Sequence, residues 1–218
     1  MYPLTLKLPT TPIILALKQE KLKWLKAAAE EILSGARKAI EELDPDQVEK
    51  MIDLIINARD KRIFVIGMGR SGFVARAFTL RLMNLGFNVY FVGETVTPSV
   101  SKGDILIAIS GSGLTRMVLT ASEAAKEVGA KVIAVTSHPE SPLGKIADHI
   151  VVVRGRTKIA KEDDYYVRQL MGEMEPLTPL GTMFENNCMV FLDSLVVELM
   201  QRMKVTEEEL RARHATIE

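Results

Sequence analysis

Five short runs of this chain are apolar without alternation, and stretches of helical character separate them. The runs are Arg62–Ile66, Asn88–Val92, Asp104–Ile109, Lys131–Thr136 and His149–Val153. Between them, Phe73–Leu85 ends at Gly86, Thr115–Val128 ends at Gly129, and Pro142–Ala147 is short. Strands that are apolar throughout must be covered on both faces, and intervening helices supply the crossovers of a parallel sheet. Right-handed crossovers leave few topologies. The expectation is a three-layer α/β/α sandwich with a five-stranded parallel, flavodoxin-like sheet, binding ligands at the carboxyl ends of its strands.

Two glycine-bearing turns follow strands at those ends. Asp104–Thr115 reads D-I-L-I-A-I-S-G-S-G-L-T. Its turn, Ser110-Gly111-Ser112-Gly113, meets a helix opened by Thr115. A helix start leaves backbone N–H groups unpartnered and carries partial positive charge. Glycines let that backbone approach a ligand closely, and the hydroxyls of Ser110, Ser112 and Thr115 add donors, so phosphate is the expected guest. The other turn, Gly67-x-Gly69-x-x-Gly72, matches the dinucleotide fingerprint, with Glu94 just past the second strand. Ser71 inside that turn and the better-equipped second anion site argue against a dinucleotide. Arg70 and Arg116 border the two turns and could add charge.

The flanks and the composition narrow the rest. Lys plus Arg equal Asp plus Glu at 28 each, which gives no basic excess for a nucleic-acid surface. The single cysteine, Cys188, excludes an intrachain disulfide and fits a buried side chain in a cytoplasmic protein. Residues 1–17 carry Pro3, Pro9 and Pro12 and no unbroken apolar run, so they read as an N-terminal extension and not as a signal peptide. Asp193, Glu198 and Arg202 interrupt the most apolar helix, Cys188–Met203, which argues against a membrane span. Residues 18–43 predict a long helix. Asp44-Pro45 predicts the cap of a second, reaching about Ala58. Both are expected to pack on the domain or on another subunit. Residues 154–178 read as an irregular loop. A helix is expected over Thr182–Met203, and a last one from Thr206, whose pattern with Glu209 is a capping box. Residues 18–218 read as one domain, and its apolar flanking helices suggest a homodimer or homotetramer.

The segments G-M-G-R-S-G at 67–72, I-S-G-S-G-L-T at 109–115 and T-S-H-P-E-S-P-L-G-K-I-A-D at 136–148 together resemble the sugar isomerase (SIS) domain family, which binds phosphosugars. G-E-T-V-T-P at 93–98, P-L-G-T-M-F-E at 179–185 and A-R-H-A at 212–215 resemble the 6-phospho-3-hexuloisomerases within it. Those enzymes interconvert D-arabino-hex-3-ulose 6-phosphate and fructose 6-phosphate, beside 3-hexulose-6-phosphate synthase in formaldehyde fixation. The resemblance implies that Ser71, Ser110, Ser112 and Thr115, with Gly69, Gly111 and Gly113, bind the sugar phosphate. It implies that Glu185 is the catalytic base and His214 a second catalytic group, supplied by a neighbouring subunit. No metal and no cofactor is expected. Leu114 departs from the family, where Glu is frequent. His138 and His149 read as structural. Another aldose–ketose isomerase, or a phosphosugar binder without catalysis, stays open at this point.

Overall fold

A computed structural model describes residues 21–155 and 177–213; the extension at 1–17, most of the irregular stretch at 154–178, and His214 lie outside them. Strands β1 (Arg62–Gly67), β2 (Asn88–Phe91), β3 (Ile105–Ile109), β4 (Lys131–Thr136) and β5 (His149–Val152) pair in parallel in the order β2-β1-β3-β4-β5. This is the flavodoxin-like order expected from the apolar runs. The helices are α1 (Lys23–Glu41), α2 (Pro45–Asn57), α3 (Arg70–Asn84), α4 (Arg116–Glu127), α5 (Pro142–Ile146), α6 (Thr182–Met203) and α7 (Glu207–Ala212).

Successive strand residues point to opposite faces, and each face is apolar for its own reason. Ile63, Val65, Ile107, Ile109 and Val135 meet α2, α3 and α6 on one face. Phe64, Ile66, Leu106, Ala108 and Val132 meet α4 and α5 on the other. The central strand β3 is therefore buried at every position. The register aligns Gly67 of β1 with Ile109 of β3 and Ile109 with Val135 of β4, so three strands finish level at one edge.

The two leading helices differ in role. Asp44 caps α2 by accepting from the Asp46 N–H at 2.9 Å and the Gln47 N–H at 3.2 Å, and Pro45 follows it. α2 buries Met51, Ile52 and Ile55 in the core, so it belongs to the layer that covers the sheet. α1 rests on α6 instead and leaves Leu22, Trp24, Leu25 and Leu33 exposed. α3 starts at Arg70, earlier than the expected Phe73, because the Gly72 N–H already reaches the Gly69 carbonyl at 3.0 Å. The capping box of Thr206 and Glu209 forms at the start of α7.

Several polar side chains act as ties. His149 shares a 2.7 Å bond between its Nε2 and the Gln47 carbonyl, and the Gln47 side-chain oxygen accepts from the Val152 N–H at 2.9 Å, which joins α2 to β5. Asp104 accepts from the Arg62 N–H at 3.1 Å and the Ser101 N–H at 2.8 Å at the foot of the sheet. Asp148 accepts from the Val132 N–H at 2.8 Å and pairs with Lys126 on α4. Among the described residues no helix is long and apolar enough to cross a membrane.

Burial opposes the charge on Asp148, but the bond from Lys126 and the Val132 N–H outweigh it and hold the carboxyl below its ordinary value. A lowered folded-state pKa gives stability that is full above the unfolded value of about 4 and is lost as pH falls through the folded value. Asp148→Asn is therefore expected to unfold at lower urea than wild type at pH 7. The gap should close as pH drops below about 4. A gap of the same size at pH 2.5 would remove this charge-based account.

Candidate active site

Three helices begin at one cleft. α3 starts after Gly69, α4 after Thr115 and α6 after Gly181, and none of the three has a side-chain cap. Each start presents N–H groups and partial positive charge to the same space. The cleft holds about 200 Å³ and is lined by Met68, Gly69, Arg70, Ser71, Ser110, Gly111, Ser112, Thr115, Leu180, Gly181, Phe184 and Glu185. That volume lies below the range of drug-sized pockets and suits a small polar ligand.

The turn after β3 is wired so that its hydroxyls stay at the cleft. Thr115 does not cap its own helix; its hydroxyl lies 3.0 Å from that of Ser110. The Ser112 hydroxyl accepts from the Leu114 N–H at 3.3 Å. The Gly111 carbonyl turns away and accepts from the Ser137 N–H at 3.1 Å and the Thr136 hydroxyl at 3.2 Å, tying the turn to the end of β4. Gly113, expected among the binding residues, is not on the cleft lining. Its φ of +63° folds it back so that its N–H meets the Ser110 carbonyl at 3.1 Å and its own carbonyl accepts from the Leu143 N–H at 3.2 Å. A Cβ there would overlap the Ser141 side chain. Ser141 in turn caps α5, accepting from the Gly144 N–H at 3.3 Å. The S-P-L segment is thus the buttress behind the turn. Leu114, the departure from the family pattern, and Arg116 are exposed and off the lining, and the half-buried His138 is off it too.

The glycine turn after β1 has its own packing reason. A side chain at Gly67 would run into the Ser71 carbonyl, and one at Gly72 would approach the Gly67 carbonyl at 3.0 Å. Glu94 pairs with Arg76 at 3.0 Å, and the Arg76 guanidinium sits 3.9 Å from the centre of the Phe91 ring. Both features that suggested a dinucleotide have local partners.

Glu185 reaches the cleft from the first turn of α6. Its N–H donates to the Gly181 carbonyl at 3.1 Å, and Gly181 takes the turn at φ +93°. The Glu185 side chain is 14% exposed and forms an ion pair with Arg70 Nε, whereas the Arg70 side chain is 61% exposed. Arg70 had looked only like a border residue, yet it places a fixed cation against the carboxylate. Leu180, Gly181 and Phe184 were also missed as lining; the one sequence signal was the P-L-G step before Thr182. Three residues beyond Glu185, Cys188 is fully buried, and burial, aided by the nearby Glu185 charge, pushes its thiol well above the ordinary range. Asn187 anchors the same helix turn by donating to the Arg154 carbonyl at 2.7 Å. The structure thus brings Gly69, Ser71, Ser110, Gly111, Ser112, Thr115 and Glu185 to one cleft.

Comparison with known proteins bears on this arrangement. The family model for the SIS domain matches residues 55–171. An uncharacterised protein of Aeropyrum pernix is 50% identical over 182 residues, 83% of this chain and 86% of its own. The 3-hexulose-6-phosphate isomerase of Methanocaldococcus jannaschii is 38% identical over 172 residues, 79% of this chain and 84% of its own. Among solved structures, a hypothetical protein of Methanococcus jannaschii aligns with TM-score 0.70 and 35% identity, over 90% of this chain and 100% of that one. Its structure was described as inferring a 3-hexulose-6-phosphate isomerase function.

Gly113→Ala should destabilise the protein by about 1–3 kcal/mol, since it combines positive φ with overpacking against Ser141. Urea unfolding checks this, and an unchanged midpoint would mean that the turn relaxes away from Ser141.

Proposed function

The chain belongs to the SIS-domain family, and from that membership we propose that it is an isomerase interconverting D-arabino-hex-3-ulose 6-phosphate and fructose 6-phosphate through a cis-enediol. The observation that carries this reading is the shared cleft. One carboxylate, Glu185, and the hydroxyls of Ser71, Ser110, Ser112 and Thr115 line the same small space.

The chemistry follows from what must move. Shifting a carbonyl from carbon 3 to carbon 2 removes one proton from carbon 2 and returns one to carbon 3. The carbon–hydrogen electron pair becomes the enediol double bond, and the carbonyl oxygen takes up a proton. No net oxidation occurs, so no external oxidant is consumed. Glu185 serves both carbons from above the plane of the enediol. The phosphate rests on the turn at 110–115 and the open starts of α3 and α4, where backbone N–H groups and hydroxyls meet it. Arg70 spends its Nε–H on Glu185, which leaves its other N–H groups as donors for negative charge developing on the sugar oxygens.

A second proton must pass between the two enediol oxygens. An imidazole can donate and accept near neutral pH, and the family resemblance gives this role to His214, reaching across from a neighbouring copy in a homodimer or homotetramer. The 3-keto sugar carries phosphate on oxygen 6 and cannot close the usual five-membered ring, so ring opening concerns fructose 6-phosphate alone. The same reading sets the protein beside a 3-hexulose-6-phosphate synthase.

Glu185→Gln is expected to keep fructose 6-phosphate affinity and lower kcat by about 10²–10⁴-fold. Near wild-type turnover in that variant would remove the base assignment. Ser110→Ala, Ser112→Ala and Thr115→Ala should each weaken fructose 6-phosphate binding by about 1–3 kcal/mol in calorimetric titration. Unchanged affinity in all three would move the phosphate elsewhere. Binding without any turnover by the wild-type protein would favour a phosphosugar binder.

A further inference from the structure

Glu31 lies on α1, outside the layers that cover the sheet, and it is not on the cleft lining. Its carboxylate nevertheless accepts three hydrogen bonds from one short segment. The Leu177 N–H donates at 2.7 Å, the Thr178 N–H at 3.2 Å and the Thr178 hydroxyl at 2.6 Å. Bonds to an ionised carboxylate are stronger than neutral ones, and Thr178 is buried, so this is a firm attachment.

The held segment leads directly to Glu185. Pro179 fixes its own φ and passes its carbonyl to the Thr182 N–H at 3.1 Å. Leu180 and Gly181 then line the cleft. The Gly181 carbonyl accepts from the Glu185 N–H, and the Gly181 Cα carries the carboxylate above it: a Cβ there would sit 3.2 Å from Glu185 Oε1. α1 also touches the far side of this turn, where Gly35 leaves room for Met183 and any side chain would overlap it. Two contacts from one helix therefore bracket the turn that carries the carboxylate. They fix the backbone before Gly181 and the side chain after it.

We propose that Glu31 is a positioning residue for Glu185. By anchoring Leu177 and Thr178 it sets the angle at which α6 enters the cleft, and so the height of the carboxylate over the substrate carbons. The proposal rests on Glu185 being the base. A displacement of about 1 Å at a reacting group can cost on the order of 10²-fold in rate, so a remote clamp of this kind has kinetic consequences.

The test uses the full chain with D-arabino-hex-3-ulose 6-phosphate as substrate, in wild-type and Glu185→Gln backgrounds. Glu31→Ala should lower kcat about 10–100-fold while KM and fructose 6-phosphate affinity stay within about twofold. Glu31→Gln, which keeps one acceptor oxygen, should restore part of the loss. In the Glu185→Gln background, Glu31→Ala should cost no further kcat, although both backgrounds lose the same Tm. Thr178→Val removes only the hydroxyl donor and should give a smaller loss of the same kind; it carries the test if Glu31→Ala fails to fold. An unchanged kcat in Glu31→Ala and Thr178→Val, with Glu185→Gln disabled, overturns the clamp and leaves the base in place. An equal loss of kcat in both backgrounds overturns it too, since the effect would then bypass Glu185. Full activity in Glu185→Gln itself would remove the base, and the clamp with it.

Discussion

Two negative charges have to share one small cleft if a carboxylate is to act on a phosphosugar, and the fold is arranged around making that tolerable. Repulsion between like charges in a partly buried site is worth kilocalories. Three uncapped helix starts meet at the cleft, and each contributes partial positive charge without a mobile counter-ion. Arg70 adds one full charge, held directly against Glu185. The level ends of β1, β3 and β4 bring two of these helix starts together, and the third arrives with α6 from the opposite end of the chain.

The scaffold behind the cleft explains why some family-like segments never touch it. Ser141, Pro142 and Leu143 cap and seat a short helix whose first turn backs onto Gly113. Asp148, at the end of the same segment, stitches α4 to the start of β4. Such residues keep the turn at 110–115 in shape, so a sequence match there reports the frame as much as the chemistry. Cys188 belongs with them: a buried thiol whose burial suppresses ionisation is a space-filling side chain.

Much of this was legible in the sequence because it is local. Apolar runs without alternation fixed the strands and their parallel sense, Asp44-Pro45 marked the start of α2, and Thr206 with Glu209 marked that of α7. Glu185 could be singled out only through the motif around it, since acids are common in first helical turns. What the sequence could not reveal depends on contacts between distant residues. Arg70 and Glu185 are 115 positions apart, and Glu31 and Leu177 are 146 apart. Neither pair leaves a periodic trace. Gly113 lies behind the cleft for a related reason: the letters G-S-G do not say which glycine lines the cleft and which faces the buttress. α1 and α2 look alike as amphipathic helices, and only the tertiary structure distinguishes the one in the covering layer from the one that rests on α6.

The most direct measurement is exchange of solvent deuterium into fructose 6-phosphate by the pure protein, with no cofactor added, followed by NMR. If Glu185 strips hydrogen from a phosphosugar held at the helix starts, deuterium enters at carbon 3, and Glu185→Gln abolishes the exchange. Deuterium at carbon 1, or carbon 3 labelling undiminished by that substitution, would contradict the account.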